Sequence, residues 1–169
     1  MDELIQRAKQ REPAALRELV DSHYDDVYRF CARQVGRDSA SDIAQETFLT
    51  MQKNIAKFEG RSTFRTWLFG IALNHSRGMQ RAKGRETASL DDWIPASGPS
   101  PEETVTTREV LRSALSKLTD EHREVVLLHE VEGLKYREIA DLLSIPEGTV
   151  KSRLHHAFLQ LRESIGGAQ

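Results

Sequence analysis

Residues 136–158 read YREIADLLSIPEGTVKSRLHHAF, and this stretch decides the fold. Its first part predicts a short helix with an apolar side formed by Ile139, Ala140 and Leu143. The segment SIPEG at 144–148 predicts a turn, with Pro146 placed to open a second helix. In that second helix apolar residues recur at spacings of 4, 3 and 4, namely at Val150, Leu154, Ala157 and Leu161. The pattern is typical of a helix-turn-helix, whose second helix enters the major groove of DNA.

The side of the second helix that faces away from its apolar residues is rich in hydrogen-bond donors. These donors are Thr149, Lys151, Ser152, Arg153 and His156. They suit phosphates and base edges in the major groove, and Arg153 suits guanine in particular. A plain helical hairpin with a solvated polar face is the alternative interpretation. A metal site at His155 and His156 is not favoured, because adjacent residues do not share one helix face.

Helical periodicity also dominates the rest of the chain. Apolar residues step by 4, 3, 4 and 3 through Ala44, Phe48, Met51, Ile55 and Phe58. Asp38 or Ser39 is placed to cap this helix, and Ser62 or Thr63 to cap the next one. No stretch alternates convincingly as a strand would, so the predicted fold class is all-α.

A segment rich in Pro, Ser and Gly separates the two helical parts. It has four acidic and no basic residues between positions 87 and 106, and its composition is typical of a linker. We therefore expect two small helical domains, at 1–86 and 107–169, joined by a flexible acidic linker at 87–106.

The first half contains a block that is both basic and aromatic. Between positions 53 and 85 there are eight basic residues and one acidic residue. Asn74, Arg77 and Arg81 lie at i, i+3 and i+7, and therefore project from one helix face. Arginines there would hold phosphates, and aromatic side chains stack on unpaired bases at about 1–3 kcal/mol per base. The loop at 59–63 is placed to receive such a base.

The alternatives for this block are a solvated basic face and a purely structural aromatic cluster. Core packing is the favoured interpretation of Phe64, Leu68 and Ile71, whereas Trp67 and Phe69 suit either role.

An acidic stripe lies opposite the apolar face of the preceding helix. Its members are Asp42, Gln45, Glu46 and Leu49. Carboxylates around an exposed leucine suit docking onto a basic partner helix. From these residues alone, a solvated surface is the default interpretation.

Taken together, these segments resemble the extracytoplasmic-function (group 4) sigma factors of bacterial RNA polymerase. DIAQETF at 42–48 looks like the region 2.2 signature, and FRTWLFGIALN at 64–74 looks like regions 2.3 to 2.4. Residues 115–162 look like region 4. The resemblance implies a sigma-2 and a sigma-4 domain that direct core RNA polymerase to promoter DNA.

The resemblance also implies roles for individual residues. Asp42, Gln45, Glu46 and Leu49 would dock on the clamp helices of the polymerase β′ subunit, and sigma-4 would meet the β flap. The −10 strand would be bound by Arg61, Ser62, Trp67, Asn74, Arg77, Arg81 and Lys83. The −35 duplex would be read by Thr149, Lys151, Ser152, Arg153 and His156. A cognate anti-sigma factor is a further implied partner.

Composition bounds the remaining function classes. The net charge of −2 argues against a protein that coats DNA by charge alone. The single cysteine, Cys31, fits a reducing cytoplasm, and the longest apolar run is far shorter than the roughly 20 residues of a membrane span. We expect no secretory signal, no cofactor and no bound metal.

Two rival hypotheses remain. A stand-alone helix-turn-helix regulator would explain residues 136–162, but not the basic aromatic block. An enzyme that uses His122 and His129 is disfavoured, because both lie in an amphipathic helix where packing and solvation explain them.

Overall fold

The computed structural model describes residues 2–83, 90 and 101–166, with the backbone alone described at 101–106. No strand occurs in these ranges, and the predicted all-α class is confirmed. The chain divides into two compact units, Met1–Ala88 and Ser89–Gln169. None of the helices in the described ranges combines the length and apolar character that a membrane span requires.

The first unit contains four α-helices among its described residues. They are α1 (Asp2–Lys9), α2 (Pro13–Val35), α3 (Arg37–Asn54) and α4 (Phe64–Lys83), with a 3₁₀ turn at Ile55–Lys57. Helices α2, α3 and α4 pack on one another, and α1 packs against α2. The stacked rings of Phe30 and Phe69 lie in this core, with centroids 4.3 Å apart. Phe69, which suited either role, is thus fully buried.

Burial along α4 agrees with most of the core prediction. Phe64 and Leu68 are buried, while Ile71 is half-buried. Phe69 also lies beneath the guanidinium of Arg65, whose Cζ is 4.3 Å from the ring centroid. Phe69 therefore contacts Phe30 in the core on one side and the partly exposed Arg65 on the other.

The sequence predicted the N-terminal cap of α4 correctly, but not that of α3. Thr63 caps α4 as predicted, because its Oγ1 accepts a hydrogen bond of 3.1 Å from the backbone N–H of Thr66. The prediction for α3 was wrong. That helix begins at Arg37, directly after Gly36, which has a φ of +81° and closes α2 through its N–H. Asp38 and Ser39 therefore lie inside the helix.

Asp26 fastens α2 to the first turn of α4. Its Oδ1 accepts a hydrogen bond of 2.7 Å from Arg29, and its Oδ2 accepts one of 3.1 Å from Arg65. Burial acts to raise the pKa of Asp26, but the two arginines outweigh it and hold the pKa below its ordinary value. The start of α4 is thereby fixed beside the loop at 59–63.

Cys31 lies in the core of the first unit with no exposed surface. Burial raises the pKa of its thiol to about 12. Because only the thiolate is nucleophilic, alkylation of the native protein at pH 8 should be at least about 1,000-fold slower than that of the unfolded chain. Iodoacetamide labelling followed by mass spectrometry, with and without denaturant, measures this ratio. Rapid labelling of the native protein would contradict the structural role of Cys31.

The second unit is also helical within the described residues. It contains α5 (Pro101–Ser116), α6 (Asp120–Glu130), α7 (Tyr136–Leu143) and α8 (Glu147–Gly166). Most of the predicted linker, 87–106, lies outside the described residues, but its last six positions are helical because α5 begins at Pro101. Proline is well suited to the first position of a helix, so this helix starts earlier than predicted.

Helices α7 and α8 form the predicted helix-turn-helix. Ser144 ends α7 in the left-handed conformation, with a φ of +56°. Val150, Leu154 and Ala157 of α8 are buried, as their spacing predicts. Helix α6 packs on both α7 and α8, and Thr119 caps its start, because Thr119 Oγ1 accepts a hydrogen bond from the N–H of His122. Because the apolar side of α8 packs into the core of the unit, the opposite, polar side of the helix is exposed.

Candidate nucleic-acid interface

A pocket of about 300 Å³ opens between α3 and α4 in the first unit. It is lined by residues 57–62 and by Trp67. Gly60 gives the loop its sharp turn, with a φ of +73°. Three residues predicted for −10 binding, Arg61, Ser62 and Trp67, are thus brought together with Glu59 of the predicted loop, and Phe58 lines the pocket although no −10 role was predicted for it.

Trp67 is half-buried and forms the aromatic wall of this pocket. Its ring lies 5.2 Å from that of Phe58 and 5.6 Å from that of Phe64, both at tilted angles. Phe64 in turn meets the buried His23 edge-on at 5.2 Å. Trp67 therefore packs on the core with one part of its ring and presents another part to the pocket.

The rim of the pocket carries both signs of charge. Arg61 forms an ion pair with Glu59 across Gly60, and both side chains are largely exposed. An exposed pair of this kind contributes little to stability. The arginine is therefore available at small cost to a competing anion such as a phosphate.

The other predicted −10 residues follow α4 away from the pocket. Asn74, Arg81 and Lys83 are exposed, and Arg77 is half-buried. Trp67, Asn74 and Arg81 recur every seven residues, so they lie on nearly the same side of the helix. The Nζ of Lys83 donates to Oγ of Ser39 at 3.3 Å. A polar and basic track therefore runs about 21 Å along one side of α4, from Trp67 to Arg81, while Lys83 lies on the side that faces α3.

The acidic stripe of α3 lies on the surface as predicted. Asp42, Gln45 and Glu46 are exposed, and Leu49 is 49% exposed. The opposite face of α3 is buried in the core of the unit. Single exposed leucines are normal on protein surfaces, so the docking role of this stripe stays a prediction.

Of the predicted −35 residues, Thr149, Ser152 and His156 lie on the outer side of α8, while Lys151 and Arg153 flank it on opposite sides. Lys151, Ser152 and His156 are exposed and Thr149 is half-buried. Lys151 pairs with Glu147 one turn earlier, with Nζ 3.1 Å from Oε1. Only a small part of the Arg153 side chain is exposed.

Two residues of α6, Glu121 and His122, border this predicted −35 surface, although no DNA-related role was predicted for them. Glu121 lies 3.0 Å from Arg153, and the ring of His122 stacks on that of His156. His156 also donates from Nδ1 to the backbone carbonyl of Ser152 at 2.8 Å. Because a carbonyl oxygen only accepts, Nδ1 carries the proton in this bond.

Metal binding finds no support in the described part of the chain. No group of three or more histidine, cysteine, aspartate or glutamate side chains there is arranged to hold a metal ion.

Comparison with known proteins agrees with both units. Residues 19–86 match the family model for Sigma-70 region 2, and residues 108–161 match that for Sigma-70, region 4. The ECF RNA polymerase sigma factor SigW of Bacillus subtilis is 33% identical, covering 95% of this chain and 94% of that protein. The chain belongs to the extracytoplasmic-function (ECF) group of the sigma-70 family. ECF sigma factors direct promoter-specific initiation of transcription.

A further relative is similar in sequence, and two solved structures share the fold. SigE of Mycolicibacterium smegmatis is 38% identical over 86% of the chain, which spans 60% of that longer protein. CnrH, solved with the cytosolic domain of CnrY, shares the fold with a TM-score of 0.68 and 24% identity, over 98% of this chain and 97% of that one. The sigma factor RpoE, solved with the anti-sigma factor NepR from Bartonella quintana, has a TM-score of 0.65 and 24% identity, over 90% and 98% of the two chains.

Proposed function

We propose that this ECF sigma factor binds core RNA polymerase and selects promoters through two separate readers. The first unit captures an unpaired base of the −10 strand, and the second reads the −35 element as duplex. The observation that carries the proposal is the open pocket at residues 57–62, where the ring of Trp67 shares the lining with Arg61, whose ion partner Glu59 is exposed and can be displaced by a phosphate. An aromatic surface and a nearby cation are what an unpaired nucleotide requires.

Capture at −10 balances two energies. Removing a base from its stack costs a few kcal/mol, and stacking on an aromatic side chain returns about 1–3 kcal/mol. Asn74, Arg77 and Arg81 along one side of α4, with Lys83 at the end of the helix, supply the remaining attraction through phosphates of the −10 strand.

Readout at −35 uses the outer face of α8. That helix lies in the major groove, where Arg153 donates to the O6 and N7 atoms of a guanine. Lys151, Ser152 and Thr149 contact phosphates, which fix the register of the helix on the duplex.

Docking on polymerase joins the two readers. The acidic stripe of α3 binds the β′ clamp helices, and the second unit binds the β flap. A chain with a net charge of −2 binds duplex DNA weakly by itself. When both readers are held on one enzyme, the second contact becomes intramolecular and gains effective concentration.

The proposal also includes an anti-sigma factor as a partner and the cytoplasm as the compartment. RpoE of Bartonella quintana was solved with an anti-sigma factor, and we propose that a cognate anti-sigma factor likewise restrains this chain. The chain works in the cytoplasm, where polymerase and promoter DNA are found. The polymerase forms the phosphodiester bonds, so this chain is not an enzyme and requires no cofactor.

Reconstitution tests the proposal directly. Core polymerase with this chain should initiate at promoters that core polymerase alone ignores, and mapping the transcript 5′ ends should reveal a shared pair of upstream elements. A stand-alone regulator would instead bind duplex tightly without polymerase. The described first unit, with its pocket and acidic stripe, favours the sigma-factor function over that alternative.

Arg153→Ala should weaken −35-dependent initiation by about 1–3 kcal/mol, because it removes a bidentate base contact. Promoter occupancy by the reconstituted holoenzyme measures the loss. Arg162→Ala removes an exposed arginine from the end of the same helix and is the matched control. Equal occupancy for Arg153→Ala and the parent protein would remove Arg153 from the reading surface.

A further inference from the structure

The beginning of α6 is tied to the reading face of α8 by three contacts. Glu121 Oε2 lies 3.0 Å from Nη2 of Arg153. The rings of His122 and His156 are parallel within 9°, with centroids 6.2 Å apart. His122 Nδ1 also lies 3.3 Å from Oε1 of Gln160. The first turn of α6 therefore lies along three successive turns of the reading helix.

We propose that Glu121 is a positioning residue that holds the guanidinium of Arg153 ready to read a guanine edge. The inference rests on the proposed function, in which Arg153 contacts the −35 duplex. Glu121 itself makes no base contact in this arrangement. It acts by limiting the conformations of the arginine before DNA arrives.

The exposure of the two partners supports this division of roles. The Arg153 side chain is 21% exposed, whereas that of Glu121 is 69% exposed. The arginine is thus confined along most of its length, and the carboxylate reaches its tip from the rim. A guanidinium has five N–H donors in a rigid fork, so one carboxylate at Nη2 leaves donors for a base.

The helix turn that carries Glu121 is held in place independently of the arginine. Glu121 lies in the first turn of α6, where the helix dipole favours negative charge. The neighbouring His122 fixes this turn against α8 through its contacts with His156 and Gln160. An ordered arginine loses less conformational entropy on binding, which increases selectivity.

An alternative role for Glu121, competition with DNA for Arg153, predicts the opposite effect on base preference. If the carboxylate competed with DNA for Arg153, its removal would sharpen base preference. If it positions the arginine, its removal weakens that preference. Base preference at individual positions therefore separates the two roles.

The experiment uses the full chain with core polymerase and a promoter library randomised across the upstream duplex element. Sequencing of bound DNA gives the enrichment of each base for the parent, Arg153→Ala, Glu121→Ala and the double variant. Where Arg153→Ala abolishes a preference, Glu121→Ala should lower the enrichment of the preferred base by about 3- to 5-fold. In the Arg153→Ala background, Glu121→Ala should have no further effect.

Glu130→Ala is the matched control, since it removes an exposed carboxylate from the other end of α6. It should leave every preference unchanged. A uniform loss of binding by Glu121→Ala, without a change in base preference, would indicate a merely structural role and overturn the proposal. Sharper preference would overturn it as well.

The same data separate this proposal from the function on which it rests. If Arg153→Ala relaxes a position and Glu121→Ala does not, only the positioning role fails. If Arg153→Ala alters no position, the −35 assignment of Arg153 fails, and the positioning role fails with it.

Discussion

Asp42→Lys combined with Glu46→Lys should reduce binding to core RNA polymerase by about 100-fold or more, because like charges brought together at an interface cost several kcal/mol. Both side chains are exposed on the same face of α3, one turn apart. Lysine is a good helix former, so the helix itself should persist. Co-purification with core polymerase, followed by a binding titration, measures the loss.

The first unit offers a closely matched control for this prediction. Asp21 and Asp25 are also exposed, also one turn apart, and lie on α2. Asp21→Lys with Asp25→Lys makes the same change of charge on a different surface and should bind polymerase nearly as well as the parent chain. Equal binding by the α3 and α2 double variants would refute the docking assignment. Helicity measured by circular dichroism shows that both variants are folded.

The two faces of α3 could be assigned from sequence because helix periodicity is local. Residues spaced by three and four positions share one side, so a buried face through Phe48 and Met51 implies an exposed face through Asp42 and Glu46. The same reasoning predicted the buried side of α8, whereas the turn before it was predicted from residue types. Periodicity assigns each residue to a side, but it does not say which distant residue it meets.

Contacts between distant segments could not be predicted in this way. Phe69 stacks on Phe30, which is 39 positions away, while Trp67 on the same helix reaches the pocket. The pairing of Arg153 with Glu121 likewise depends on how α6 crosses α8, and no spacing in the sequence encodes it. Such pairings can be read only from the packed structure. Trp67 and Arg153, which belong to the proposed reading surfaces, are two examples.

The start of α3 shows a different limit. Residue type alone favoured Asp38 or Ser39 as a cap. Gly36, however, turns the chain at a positive φ, so that α3 follows α2 with one residue between them. The backbone freedom of glycine therefore decided where the helix begins.

Trp67→Ala should weaken capture of the unpaired −10 strand by about 5- to 150-fold, which corresponds to the 1–3 kcal/mol of one aromatic–base stack. Open-complex formation by the holoenzyme, followed through the fluorescence of a 2-aminopurine placed in the −10 strand, measures this step. Trp67→Phe keeps an aromatic ring at the pocket and should restore much of the signal.

Trp67 also packs on Phe58 and Phe64, so its removal should destabilise the first unit as well. Ile71→Ala separates the two effects, because Ile71 is a half-buried residue one turn further along α4 that does not line the pocket. Both alanine variants should lower the free energy of unfolding, but only Trp67→Ala should lose strand capture at a temperature where both are folded. If Ile71→Ala impaired capture as much as Trp67→Ala, the loss would come from a loosened fold, and Trp67 would not be the surface on which the base stacks.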